Sequence, residues 1–290
     1  MFRALGEIEA AVRKQNKNYY EVILEDDCKE QGITKEVSFE KMKHMYQMMQ
    51  EADLAYDKKQ YSASGLVGTD GEKMAQARAA KTVLCGDFIG EVMEKAIKMG
   101  ESNACMKRIV AAPTAGSCGV IPAVFLSLQK NKGFSDEKMT EALYVAAGIG
   151  GVIATRAFIA GAAGGCQAEI GSASAMAAGA VAYLMGADEK GISNAAALAL
   201  KNLLGLVCDP VAGLVEVPCV KRNVLGAVNA LTSADLSMAG INSKIPPDEV
   251  IDAMRSIGKA LPESLRETGQ GGLAATPAGE AVKDKFSKKK

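Results

Sequence analysis

The sequence predicts an all-α fold, a bundle of closely packed helices rich in glycine and alanine. Three observations lead there. Apolar residues recur at spacings of three and four in several segments, the period of one helix face. No run of alternating β-branched residues appears anywhere in the chain. The composition, with 30 glycines, 14 methionines, no Trp and 5% aromatic residues, fills a core with small and flexible side chains, which suits helices in close contact better than a β-sandwich.

Taken in order, Phe39, Met42, Tyr46 and Met49 define a helix over Val37–Tyr56, with Ser38 as its N-cap. Leu84, Phe88, Val92, Ala96 and Met99 share one stripe of a helix over Lys73–Met99, which Gly100 ends. A helix containing Ile121 to Gln129 follows, and Ser135-Asp136-Glu137 opens the next with acids in its first turn. Ser193 is expected to cap Asn194–Leu204, which Gly205 stops, and Pro246-Pro247-Asp248-Glu249 to start a final helix closed by Pro262. One domain is expected over residues 1–290: a helical part at 1–100, a helical core at 101–280 and a Lys-rich tail at 281–290.

The stretch Ala142 to Gly186 is almost entirely small and apolar, interrupted by Arg156 and Glu169. Its Ala, Gly and Ser residues are weakly hydrophobic, whereas a membrane span needs about 20 clearly apolar residues, so these helices are expected inside a bundle. Arg156 and Glu169 are costly to bury unpaired. They are expected to bridge to each other or to another partner, with a substrate contact as the alternative reading.

Charge narrows the partners. The 34 basic and 34 acidic residues balance, and the one basic run is Lys288 to Lys290, so no surface for tracking phosphates is expected and nucleic acid is excluded. Met1 to Ala11 lacks the apolar stretch of a secretory signal, which points to the cytoplasm. Seven cysteines, an odd number, fit free thiols or metal ligands better than a disulfide framework.

Three of them stand in unusual company. Cys166 follows Gly161-Ala162-Ala163-Gly164-Gly165 and precedes Gln167-Ala168-Glu169-Ile170-Gly171, Cys208 opens Cys208-Asp209-Pro210, and Cys219 closes Val217-Pro218-Cys219. Each lies at an expected break between helices, where Gly or Pro frees the backbone. Such breaks let thiolates converge on a cluster site at helix junctions, and a helix starting at Gln167 would aim its positive end there. Any one of these cysteines, taken alone, reads equally as a small buried residue.

Four blocks in order carry a resemblance: Ala111-Ala112-Pro113-Thr114-Ala115-Gly116-Ser117-Cys118-Gly119-Val120-Ile121-Pro122-Ala123-Val124; Cys166 to Gly171; Cys208-Asp209-Pro210-Val211-Ala212-Gly213 through Pro218-Cys219; and Glu267-Thr268-Gly269-Gln270-Gly271-Gly272-Leu273-Ala274. With the segment from Ser62 onward, they resemble the α chain of iron-sulfur L-serine dehydratases. The resemblance implies a 4Fe-4S cluster held by Cys166, Cys208 and Cys219. A fourth iron, without a protein thiolate, would act as Lewis acid in the elimination of water from L-serine, giving pyruvate and ammonia. Some single-chain relatives end in a cysteine that covers the open iron; no cysteine follows Cys219 here, so another group is expected to do so.

The resemblance also implies two substrate-binding segments, Ser62, Ser64, Gly65 and Thr69 in one and Pro113, Thr114, Ala115 and Gly116 in the other. Hydroxyls at the helix start after Pro113 would suit a carboxylate. Many relatives carry Asn at the position of Ala115, and often Ala at that of Cys118, which is read as packing. The α-proton base stays unassigned, and the sole histidine, His44, reads as an ordinary helix residue. The Ser-Ser-Ser-His-Thr type segment of the family's other half is missing, which implies a separate β subunit. Three rivals remain: a pyridoxal-phosphate dehydratase using the glycine runs at Gly148–Gly151 and Gly161–Gly165, a 4Fe-4S lyase acting on cysteine or threonine, and a helical scaffold with no chemistry of its own.

Overall fold

The computed structural model describes residues 1–287. Among these it has no β-strand, only isolated bridges between Tyr61 and Gly68 and between Cys208 and Arg266. The helices are α1 (Leu5–Gln15), α2 (Tyr19–Gln31), α3 (Lys35–Leu54), α4 (Asp70–Ala79), α5 (Gly86–Ala104), α6 (Val120–Lys132), α7 (Asp136–Arg156), the single turn α8 (Gly161–Gly164), α9 (Ser172–Leu184), α10 (Glu189–Asn202), α11 (Cys219–Met238), α12 (Pro247–Ala260) and α13 (Pro277–Ser287). None is long and apolar enough to cross a membrane.

The Ala-rich helix α9 is the axis of the bundle. Every one of its residues is buried, and it packs against α6, α7, α10 and α11. Missing side chains make that approach possible. A Cβ on Gly179 would run into Ile149 and reach the Ile192 carbonyl at 3.3 Å, and one on Gly226 of α11 would meet Ile170 and Val120 at 2.9 Å. Outside this centre, α2 and α3 pack on α7, and α5 packs on α6 and α11. A hydrogen bond of 2.6 Å between Ser38 and Tyr144 joins α3 to α7 inside the core.

Several expected boundaries move. Ser135 caps α7 as expected, its side chain accepting from Lys138 N at 3.2 Å. Ser38 is no cap: α3 begins one turn earlier at Thr34, whose hydroxyl accepts from Val37 N, and Ser38 is buried. Ser193 is likewise internal, donating to the Glu189 carbonyl at 3.2 Å, while Asp188 caps α10. Helix α12 is not the last, since α13 follows it into the segment expected as a tail; Lys288 to Lys290 lie outside the described residues.

The single helix expected over Lys73–Met99 is two helices, α4 and α5. Lys81 adopts φ 55° and Gly86 φ 77° in the turn between them, and Leu84, expected on the apolar stripe, is fully exposed. The ion pairs decide this. By turning back, the chain brings Arg78 of α4 to Asp87, Glu91 and Glu94 of α5, and a Cβ on Gly90 would meet Arg78 Cγ at 2.9 Å. Gly100 does not end the second helix, which runs to Ala104 and uses that glycine to pass close to α11, where a Cβ would lie 3.2 Å from Val220.

Candidate metal centre

The breaks between α8 and α9 and between α10 and α11 face one another. Cys166 sits after Gly165, whose φ of 77° turns the chain sharply, and leads into a π-helical turn at Gln167–Gly171 that continues as α9. The first N–H groups of this turn are already taken, Gln167 N by the Leu206 carbonyl at 3.0 Å and Ala168 N by Gly165 at 3.0 Å. What the turn aims at the thiol is therefore a side chain: Glu169 follows Cys166 by three residues and lies on the same face.

Donor atoms of Cys166, Glu169 and Cys208 all lie within 4.8 Å of one another and form a group able to hold a metal ion. Glu169 Oε2 stands 4.0 Å from Cys166 Sγ and 3.9 Å from Cys208 Sγ. Cys208 is pinned through its backbone, its N–H donating to Leu265 O and its carbonyl accepting from Glu267 N, each at 2.8 Å. Cys219, the first residue of α11, lies outside the 4.8 Å group but close enough for the charges of Cys166 and Glu169 to act on it. All three cysteines are buried. Cys118 is buried as well, packed with Ala52 and Met99 away from this group.

Electrostatics set the thiols apart. A hydrogen bond from Cys208, helped by the charge of Arg222, holds the Cys166 thiol below the usual cysteine range although burial opposes it. The same bond, together with burial, pushes Cys208 up. Burial pushes Cys219 up to about 12, with Cys166 and Glu169 adding to the effect. Burial also raises Glu169, Glu267 adding to it and the Thr114 hydroxyl opposing it.

Arg222, one turn into α11, is the cation of the site. It donates to Cys166 Sγ at 3.4 Å, to the Val207 carbonyl at 2.7 Å and to Asp209 at 2.8 Å, so one guanidinium braces both cysteine-bearing breaks. Asp209 in turn accepts from Leu273 N at 2.9 Å, which brings in the block after Gly271. Of the two pairings expected for Arg156 and Glu169, the mutual bridge does not form, whereas Arg156 does find another partner. Arg156 reaches Asp252 of α12 in two bonds of 2.8 and 2.7 Å, and Glu169 has no ion-pair partner among the described residues.

The segment expected at Pro113–Gly116 borders the thiols. A cis peptide precedes Pro113, Thr114 Oγ1 donates to Glu169 Oε1 at 2.7 Å, and a Cβ on Gly116 would lie 3.1 Å from that oxygen. Ala115 opens a short 3-10 turn. The segment of Ser62, Ser64, Gly65 and Thr69 adjoins a different part of the site, the turn that leads into Cys219, through Glu216. Gly65 and Thr69 both adopt positive φ, and Thr69 Oγ1 lies 3.3 Å from the Tyr61 hydroxyl. His44 is exposed on α3.

The glycine runs are no phosphate loop. Gly148 and Gly150 lie within α7, where Cβ atoms would strike Ile23 and Met176, and Gly161 closes over the centre, its Cβ position 2.8 Å from Glu169 Oε2, 2.9 Å from Cys208 Sγ and 3.2 Å from Glu267 Oε2.

Residues 14–274 match the family described as serine dehydratase alpha chain. This chain belongs to that family. It is 46% identical over 287 residues to the probable L-serine dehydratase, alpha chain, of Bacillus subtilis (strain 168), covering 99% of this chain and 95% of that one. It is 38% identical over 291 residues to the L-serine dehydratase, alpha chain, of Peptoniphilus asaccharolyticus, covering 99% of each. The L-serine dehydratase of Helicobacter pylori (strain J99 / ATCC 700824) is 43% identical over 182 residues, which take up 61% of this chain and 40% of that protein. In this serine dehydratase alpha chain, the group that could hold a metal ion draws on residues that composition alone does not reveal. Glu169, Asp209, Arg222, Glu216 and Glu267 were not assigned to the site from sequence. A carboxylate three residues from one cysteine and an arginine three residues from another were the available signals.

Proposed function

We propose that this chain is the cluster-bearing subunit of a cytoplasmic L-serine dehydratase, converting L-serine to pyruvate and ammonia. The observation that carries the reading is the meeting of Cys166, Cys208 and Glu169 within 4.8 Å at a helix junction, with Cys219 beside them. The names of the relatives supply the substrate.

The donor set fits a 4Fe-4S cluster. Thiolates are the soft donors such a cluster takes, and Arg222 offers a part-buried N–H to the Cys166 sulfur and positive charge to Cys166 and Cys219. Cys166, Cys208 and Cys219 would hold it. When bound, the cluster supplies a Lewis-acidic iron that draws electron density from the serine hydroxyl and makes hydroxide a tolerable leaving group.

The chain's own residues do the rest. Glu169 places a carboxylate at the edge of the thiols, and Thr114 fixes one of its oxygens. Because the Thr114 proton is committed to Glu169, the backbone around Ala115 and Gly116 is what this segment offers a substrate carboxylate. Loss of the α-proton and of hydroxide leaves aminoacrylate, which tautomerises to the imine and takes up water, releasing ammonia; the net change is serine to pyruvate plus ammonia. A partner β subunit completes the active site, a reading supported by the name alpha chain that the relatives carry.

The test is anaerobic reconstitution with iron and sulfide, with and without a candidate β chain, followed by pyruvate measurement on L-serine, L-threonine and L-cysteine side by side. Serine turnover that needs iron and the partner is the expected result. A yellow, air-stable enzyme dependent on a lysine would overturn it.

A further inference from the structure

The loop between Tyr61 and Asp70 is held by two buried carboxylates from distant elements. At its exit Glu101 of α5, 1% exposed, accepts from the N–H groups of Gly68, Asp70 and Gly71 at 3.0, 2.9 and 3.2 Å and from the Tyr56 hydroxyl at 2.6 Å. At its entry Glu216, 7% exposed, accepts from Ser62 Oγ at 3.0 Å and from Ser64 Oγ in a short bond. The two hydroxyls lie 2.9 Å apart, and Leu66 N donates to Ser64 Oγ at 2.9 Å. No lysine or arginine forms an ion pair with Glu216 among the described residues.

Glu216 belongs to the turn that delivers Cys219. Its carbonyl accepts from Val220 N at 3.0 Å, its own N–H donates to Leu214 O at 2.8 Å, and Val211 N closes the turn on Val217 O at 2.9 Å. Its backbone therefore starts the helix that carries one thiol, while its side chain holds a loop far away in sequence.

We propose that Glu216 is a positioning residue that ties the Ser62–Thr69 loop to the Cys219 turn and decides which atoms of the loop meet the substrate; the second half of this inference rests on the serine reading above. A hydroxyl has one proton to give. Those of Ser62 and Ser64 are directed to Glu216, so neither is left for a substrate carboxylate. The loop instead presents its backbone at the exposed Ala63, since the Gly65 N–H is itself committed to the Ser62 carbonyl at 2.9 Å. Ser62 and Ser64 act through Glu216 on the shape of the loop, and Glu216 acts through the loop on substrate.

Two variants separate a hydrogen-bond acceptor from mere bulk: Glu216→Gln keeps an oxygen for the hydroxyls, and Glu216→Leu removes it. In the full chain without metal, amide exchange of Ser62 and Leu66, whose N–H groups donate to the Val67 carbonyl and to Ser64 Oγ, is expected to speed roughly tenfold or more in the Leu variant and to change little in the Gln variant, with α9 protection as the check on folding. In the reconstituted enzyme with its partner, the Leu variant is expected to raise KM for serine roughly tenfold at unchanged iron content and nearly unchanged kcat, and the Gln variant to restore it. Unchanged exchange in the Leu variant, equal effects in both variants, or a loss confined to kcat overturns the proposal. A wild-type enzyme that binds iron but makes no pyruvate removes the serine reading alone, because the exchange measurement still decides the tie between loop and turn.

Discussion

Thr114 and Glu169 form a 2.7 Å hydrogen bond that joins the segment after the cis Ala112–Pro113 peptide to the thiol group, since the other oxygen of the same carboxylate lies about as far from Cys166 as from Cys208. The bond leaves Glu169 with one fixed oxygen and one facing sulfur. Thr114→Val keeps the shape and removes the donor. Losing a partner for a buried polar group costs about 1–3 kcal/mol, so kcat/KM is expected to fall by roughly tenfold to a hundredfold. Iron content is expected to stay near the wild-type value; steady-state kinetics alongside iron analysis checks this, and unaltered kinetics would refute the role.

Cysteine replacement separates ligands from packing. Cys166→Ala, Cys208→Ala and Cys219→Ala are each expected to lose cluster and activity, whereas Cys28→Ala and Cys105→Ala keep both. Iron and sulfide per chain after anaerobic reconstitution is the measurement. Equal iron loss in all five variants would remove the assignment.

Arg222→Gln strips the centre of its cation and leaves Asp209, itself buried, without its ion-pair partner. Removing one member of a buried pair costs about 3–5 kcal/mol, and the apo chain is expected to show this as a lower urea midpoint. Arg222→Lys keeps charge but cannot span Cys166, Val207 and Asp209 at once, so it is expected to recover only part of the loss. A midpoint equal to wild type in the Gln variant would count against the bracing role.

Acid weakens the junction of α4 and α5. Burial alone would raise Glu94, but hydrogen bonds and charges from Lys98 and Arg78 outweigh it and hold the carboxyl below its ordinary value. A carboxyl depressed in the folded state adds stability above its unfolded pKa of about 4.3, and that stability disappears as pH falls through the lower folded value. The difference in urea stability between wild type and Glu94→Gln is therefore expected to be full at neutral pH and to shrink steadily below about pH 4.3. A difference that grows on acidification would contradict the sign.

Much of the fold was readable from local chemistry. Ser135 followed by two acids marks the start of α7, and the small-residue run from Ala142 to Gly186 marks the buried interior, because those signals act within one turn or over one continuous stretch. The break between α4 and α5 was not readable, since the apolar period continues through Leu84 and only the distant carboxylates of α5 explain why Arg78 turns back. The same limit applied at the site. The cysteine blocks stand out by their Gly and Pro neighbours, while Glu169 reads in sequence as a salt-bridge partner with a substrate contact as the alternative. Nothing local told that Arg156 would find Asp252 instead.

The two-way backbone bond of Cys208 with Leu265 and Glu267 has a consequence for biogenesis. A nascent chain still on the ribosome holds its thiols before the residues that clamp them have been made. The arrangement of Cys166, Glu169 and Cys208 that could hold a metal ion is therefore set only after Leu265 to Glu267 have been made, and a product stalled before Leu265 lacks the clamp on Cys208.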